Sequence, residues 1–154
     1  MEIIDQNLLD ITAGIIGHQT NCLGFMGAGI ALQIKRKYPR VYRQYSKYCD
    51  RHRPYPGLLL GTVQPVWADE SRKLLVLNLF GQFNISHSRT NVNTDYEALR
   101  AIALKLKLRQ ERGELGPIHL PYGMGCGLGG GDWEVVGRIF RDVDGRWCKL
   151  PDRN

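Results

Sequence analysis

No stretch of this chain approaches the roughly 18 consecutive apolar residues a membrane-crossing helix needs, so no membrane partner is expected. Its first ten residues are acidic and lack a basic segment followed by an apolar one. That predicts no signal peptide and an intracellular, cytoplasmic and complete domain. Cysteine is sparse and scattered: Cys22, Cys49, Cys126 and Cys148 form no Cys-x-x-Cys pair. A zinc site needs closely spaced ligands, so reduced thiols are expected, with neither a metal nor disulfides. His18, His52, His87 and His119 are equally dispersed. Repeats, low-complexity segments and linkers are absent too, and no cofactor is expected.

What remains is an ordinary globular composition, 43% hydrophobic and 23% charged, over 154 residues, which is a one-domain length. The net charge of +6 favours anionic partners in general without choosing among them. Much of the excess lies at Lys35-Arg36-Lys37 and from Arg40 to Arg53, a pattern that a solvated helix face also produces.

Short apolar runs alternate with longer helical stretches, which predicts an α/β sheet covered by helices. Leu8–Ile11 and Ile15-Ile16 read as strand pieces. Leu58–Val66 and Lys73–Phe80 read as a hairpin about the turn-like Ala68–Ser71, and Ile118–Leu120 as a short buried strand. Helices are expected from about Gly29 to Tyr38, from Pro39 with Val41, Tyr45 and Tyr48 inward, and from near Asp132 through Phe140. Thr94-Asp95-Tyr96-Glu97 has the Thr-x-x-Glu form of a capping box, and Gly113 supplies a stop for the helix behind it. Arg146–Leu150 is expected as a final strand.

Glycine is concentrated in two places, each between an apolar strand and a helix. The first is Gly24 to Gly29; the second has six glycines within the nine residues Gly123–Gly131. Glycine lets backbone turn sharply and approach a ligand, and the helix behind presents unpaired amides at its positive dipole end. Tight turns alone account for one such loop but poorly for the second. Two such loops on one sheet can hold a diphosphate from both sides. Neither is a known nucleotide motif: Leu32 breaks Gly-x-Gly-x-x-Gly, and no lysine follows either cluster as a P-loop requires.

These residues resemble the macrodomains. Leu9-Asp10-Ile11-Thr12 is similar to the family's Gly-Asp-Ile-Thr segment, His18–Asn21 with Met26–Ala31 to its first binding loop, and Pro121–Trp133 to its second. Gly-Ala-Gly-Ile-Ala and Gly-Cys-Gly-Leu followed by Trp resemble the branch of terminal ADP-ribose-protein glycohydrolase and the antitoxin that reverses DNA ADP-ribosylation. The resemblance implies a three-layer α/β/α macrodomain with a mixed central sheet, and ADP-ribose or a derivative as ligand. It implies that Asp10 accepts from the adenine amino group and that the Ile11 amide contacts the base. Asn21 would lie near the distal ribose, with Gly27, Ala28, Gly29 and Ile30 on the diphosphate and ribose, and Thr20 is a further substrate-binding residue. Gly125, Cys126, Gly127 and Leu128 would cradle phosphate, with Gly123 and Met124 also among the substrate-binding residues.

In that branch a lysine follows the strand that here reads Leu77–Phe80, and an aspartate follows Gly-Cys-Gly-Leu. This chain has Gln82 and Gly129 there, with Arg89 the nearest downstream base and Asp132 the nearby carboxylate. A covalent lysine mechanism therefore has no nucleophile here. The catalytic candidates are His18, whose imidazole titrates near neutrality, and Asp132, which serves equally as a helix N-cap. Cys126 lacks an activating neighbour and is expected to pack.

The expected function is hydrolysis at the distal ribose, with ADP-ribose 1''-phosphate as first substrate. Two alternatives stand beside it. One is a non-catalytic binder of ADP-ribose or of ADP-ribosylated protein or nucleic acid. The other is an ADP-ribosyl glycohydrolase with a non-lysine catalytic set.

Overall fold

The computed structural model describes residues 1–85 and 92–152, so His87 and Arg89 lie outside the described residues. Its core is a six-stranded sheet in the order β1-β6-β5-β2-β4-β3, from β1 (Glu2–Asp5), β2 (Gly14–Thr20), β3 (Val63–Trp67), β4 (Leu74–Phe80), β5 (Ile118–Pro121) and β6 (Gly145–Lys149). Only β3 runs antiparallel to its neighbour; the other pairings are parallel, which makes the sheet mixed.

The helices are α1 (Gly29–Lys37), α2 (Pro39–Arg51), α3 (Tyr96–Glu111) and α4 (Trp133–Ile139). Strand side chains alternate between faces, and the two cores follow that alternation. Leu75, Leu77 and Leu79 of β4 pack with Leu99 and Ile102 of α3 and Val136 of α4. Leu74 and Val76 pack with Ile34 of α1 and Val41 of α2. Both faces of the sheet are thus covered, and the fold is the expected three-layer α/β/α arrangement.

Pro39 opens α2 where a missing amide hydrogen costs nothing, and it pushes Tyr38 out of helical geometry, which separates α1 from α2. On α2 the buried side is Val41, Tyr45 and Cys49, with Tyr48 half-buried. The basic excess is largely solvated helix surface: Lys35 lies 4.1 Å over the Tyr42 ring, and Arg40 and Arg53 pair with Glu70 and Asp50.

Four expectations are corrected. Leu8–Asp10 is a 3-10 turn rather than a strand, because the Asn7 side chain caps it by accepting from the Leu9 amide at 3.0 Å. The strand β1 precedes it and was not anticipated, since Glu2–Asp5 is largely exposed at the sheet edge and lacks a buried face. The hairpin's first strand begins only at Val63; Pro56–Leu59 form a 3-10 turn and Gly61 has φ +81°. Finally, Thr94 does not cap α3. Asp95 does, accepting from the Ala98 amide at 2.9 Å, while Thr94 is buried against the second glycine loop. Gly113, with φ +73°, stands just past the end of α3 as expected.

Candidate ligand-binding cleft

The parallel strands β2, β4 and β5 end together at one edge of the sheet, and their carboxyl ends open into a cleft of about 460 Å³. Open α/β sheets offer ligands a crevice at that place, and the volume suits a small molecule. The loop after β2 forms one wall and the loop after β5 the other.

The first loop is fastened from within by Asn21. Its Oδ1 accepts from the amides of Leu23 at 3.0 Å and Phe25 at 3.3 Å, and its Nδ2 donates to the Phe25 carbonyl at 2.7 Å. Beyond the loop, α1 starts without a side-chain cap, because its N-cap residue is Ala28. Its first-turn amides therefore have no side-chain cap, and Gly29, Ile30 and Ala31 of that turn line the cleft.

The second loop folds on itself. The Gly131 amide donates to the Gly125 carbonyl at 2.8 Å, and Gly130 to Gly127 at 3.0 Å. The segment before α3 clamps it: the amides of Asn93 and Thr94 both donate to the Gly129 carbonyl, and the Thr94 hydroxyl donates to the Gly125 carbonyl at 2.6 Å. A side chain at Gly129 or Gly131 would collide with this clamp, its Cβ standing 2.5 Å from Thr94 Oγ1 in one case and 2.8 Å from the Gly125 carbonyl oxygen in the other. Gly125 has φ +77° and a Cβ there would reach Gln19 Oε1 at 2.8 Å.

Gly27 and Gly127 are different. Neither has a positive φ, and among the described residues a Cβ at either would meet no atom within 4 Å. Both line the cleft, on opposite walls. The fold itself does not require glycine at these two positions.

Of the residues expected at the site, Thr20, Asn21, Gly27, Ala28, Gly29, Ile30, Gly123, Met124, Gly125, Gly127 and Leu128 line the cleft. Asp10, Ile11, Cys126, His18 and Asp132 are not among its lining. Asp10 is exposed at the end of its 3-10 turn, and the Ile11 amide is engaged by the Leu8 carbonyl at 3.3 Å. Cys126 is half-buried, and burial pushes its thiol up to about 11, which leaves no thiolate for attack at neutral pH.

His18 lies wholly inside the sheet, not at its mouth. Its Nε2 is 2.7 Å from Asn78 Oδ1, and Asn78 Nδ2 in turn donates to Gln64 Oε1, a polar ladder across β2, β4 and β3. Burial lowers the imidazole to about 4, so it is neutral at pH 7. Asp132 is the N-cap of α4, accepting from the Glu134 amide at 2.9 Å, and is exposed.

Phe25 and Ile85 line the cleft unanticipated; Gln19, Ala31, Pro121, Tyr122 and Gly129, which fall within the two expected binding-loop segments without a contact assigned, line it too, as does Gln82 at the position of the branch's lysine. The available signal for Gln19 was its place next to Thr20 and Asn21 at the carboxyl end of β2. Among the described residues, the lining carries no lysine, arginine, histidine, cysteine or carboxylate. Its chemistry is that of backbone amides, carboxamides and hydroxyls.

Comparison with known proteins agrees with this architecture. The model of the family described as Macro domain matches residues 18–140. The ADP-ribose 1''-phosphate phosphatase of Lodderomyces elongisporus is 31% identical over 135 residues, covering 84% of this chain and 81% of that protein. Other relatives are matched in part only. The alignments span 34% and 27% of the proteins of that name from Meyerozyma guilliermondii and Debaryomyces hansenii, and 13% of the DNA ADP-ribosyl glycohydrolase of Mycobacterium tuberculosis. A solved structure of a Bacteroides thetaiotaomicron protein of unknown function superposes with a TM-score of 0.78 at 26% identity, covering 97% of each chain. The macrodomain of Mycobacterium tuberculosis DarG does so with a TM-score of 0.75 at 24% identity, over 98% of this chain and 97% of that one, a likeness of fold.

Proposed function

This chain belongs to the Macro domain family, and from that premise we propose that it binds ADP-ribose or a derivative between its two glycine loops and hydrolyses ADP-ribose 1''-phosphate. The observation that carries the binding half is the pair Gly27 and Gly127. Glycine there has no internal cause, and both positions face the cleft from opposite walls. A ligand that must lie against bare backbone supplies the cause. The uncapped start of α1 suits its diphosphate, because free first-turn amides and the helix dipole both favour anions. The choice of reaction follows the relatives named ADP-ribose 1''-phosphate phosphatase, one of which aligns over most of both chains.

Without an acid, base or nucleophile in the described lining, the chain's contribution is orientation and charge stabilisation. Backbone amides hold the phosphate while water attacks phosphorus and the bond to the ribose oxygen breaks, leaving ADP-ribose and inorganic phosphate. A cytoplasmic location belongs to the same proposal, since that is where such a nucleotide would be met.

The test is twofold. Calorimetric titration with ADP-ribose, AMP and NAD reads binding, and phosphate release from ADP-ribose 1''-phosphate reads turnover. Selective saturable binding of ADP-ribose with phosphate release supports both halves. The uncharged lining also favours a second reading, a binder of ADP-ribose or of ADP-ribosylated protein or nucleic acid, and binding without phosphate release would select it. No binding at all would overturn both.

A further inference from the structure

Three side chains join the two walls of the cleft. The Thr94 hydroxyl donates its one hydrogen to the Gly125 carbonyl at 2.6 Å, so toward Gln19 it can only accept, and Gln19 Nε2 stands 2.9 Å away. Gln19 Nε2 gives its second hydrogen to Gln82 Oε1 at 2.8 Å. Gln82 Nε2 donates to the Asn84 carbonyl at 2.7 Å, which uses one of its two hydrogens. Backbone carbonyls terminate the chain at both ends, Gly125 and Asn84. Turning either carboxamide over would set oxygen against oxygen, so the direction of every hydrogen bond is fixed.

The fold accepts a cost for that direction. Gln19 Oε1 is buried with no partner among the described residues. It is packed where a Cβ at Gly81 or Gly125 would stand 2.7 or 2.8 Å from it, so two glycines make room for the orientation. Among the described residues, what the relay leaves over is one N–H on Gln82, a residue that lines the cleft.

Gln82 also has a defined place along the cleft. It follows β4, on one side of β2, whereas the turn carrying Asp10 packs against β5 on the other side. A ligand whose base lies toward Asp10 would have its opposite end toward Gln82.

We propose that Gln82 is a specificity-determining residue, offering an oriented neutral N–H to an anionic group at the distal end of the ligand, with Gln19 and Thr94 as its positioning residues. The inference rests on the reading of the cleft as an ADP-ribose site. A neutral donor rewards a phosphate oxygen with a hydrogen bond and carries no charge of its own to attract any other anion.

The experiment titrates the whole chain and its variants with AMP, ADP-ribose and ADP-ribose 1''-phosphate. Gln82→Met, which keeps length and removes the donor, should lose about tenfold or more in affinity for the 1''-phosphate and keep its affinity for AMP. Gln82→Glu should lose more, because it sets a carboxylate against the anion. Thr94→Val should repeat the pattern of Gln82→Met, and Thr94→Ser should restore it. Equal binding of the 1''-phosphate by Gln82→Met and the unaltered chain would overturn the proposal, as would an equal loss for AMP, which marks a merely structural effect. On the unaltered chain, NMR should show one Gln82 side-chain amide proton shifting on saturation with the 1''-phosphate but not with AMP. An unmoved signal counts against the proposal even if the variants do not fold. Failure of the unaltered chain to bind ADP-ribose would instead overturn the ADP-ribose reading itself.

Discussion

The hydroxyl of Tyr45 stands 2.7 Å from the carbonyl oxygen of Asn21 and 2.9 Å from its Oδ1, joining the middle of α2 to the first residue of the first glycine loop. Tyr45 is wholly buried and stacks on Phe80, so the anchor is rigid. Asn21 was expected beside the distal ribose. It lines the cleft, but its side chain is spent on shaping the loop.

Tyr45→Phe keeps the ring and removes that hydrogen bond. It should cost about 0.5–1.5 kcal/mol of stability in urea denaturation. Calorimetry should also find weaker ADP-ribose binding, because a looser loop must be ordered by the ligand. Loss of stability with unaltered affinity would separate the anchor from the site.

Gly127→Val and Gly125→Ala should fail in different ways. At Gly127 the φ is not positive and no atom of the described residues stands within 4 Å of a Cβ, so the valine variant should fold and melt like the parent while ADP-ribose binding disappears. At Gly125, φ +77° and contact with Gln19 and Thr94 predict a loss of roughly 1–3 kcal/mol in stability. A folded Gly127→Val chain that binds normally would remove that loop from the site.

His18 sets a pH dependence. Its folded value of about 4 lies below the ordinary 6.5, so between those values the unfolded chain binds the extra proton. The contribution is complete above pH 6.5 and is lost as pH falls toward 4, up to roughly 3 kcal/mol in all. Urea midpoints at pH 7.5 and 4.5 should therefore differ more for the parent than for His18→Gln. The rate of phosphate release should show no imidazole limb between pH 6 and 8, and finding one that His18→Gln removes would return His18 to the mechanism.

Asp132→Ala and Asp10→Ala form a matched pair. Loss of the α4 cap should lower stability by about 1 kcal/mol with phosphate release retained. Asp10→Ala, an exposed change, should leave stability alone and weaken ADP-ribose binding by roughly 1.5–3 kcal/mol if its carboxylate meets the adenine amine. Exchange of the two phenotypes would reverse the roles given to these aspartates.

Strong periodicity and glycine placement were legible in the sequence: the starts of α1 and α2, the β3–β4 hairpin, and the two loops that wall the cleft. What escaped was settled by competition between local choices. Thr94 and Asp95 are both good caps, and only the second glycine loop, distant in sequence, draws Thr94 away and leaves Asp95 the task. Asn7 diverts an apolar run into a turn by the same kind of local bond. His18 looked like a site residue because strand β2 ends nearby, but it stands two residues short of that end and is wholly buried, and Gln19 and Thr20 are the residues of β2 that line the cleft. The partnership of Gln19, Gln82 and Thr94 spans 75 positions of chain and leaves no local pattern to read.

Because six of the residues that line the cleft are glycine, that part of its vocabulary is main chain and nearly immune to editing by substitution. Replacing Gly27 or Gly127 can only add bulk where the ligand would lie; it cannot exchange one recognised group for another. Mutational drift at these glycines can silence the pocket far more easily than it can retune it, and new preferences would have to arise at the side-chain positions between them.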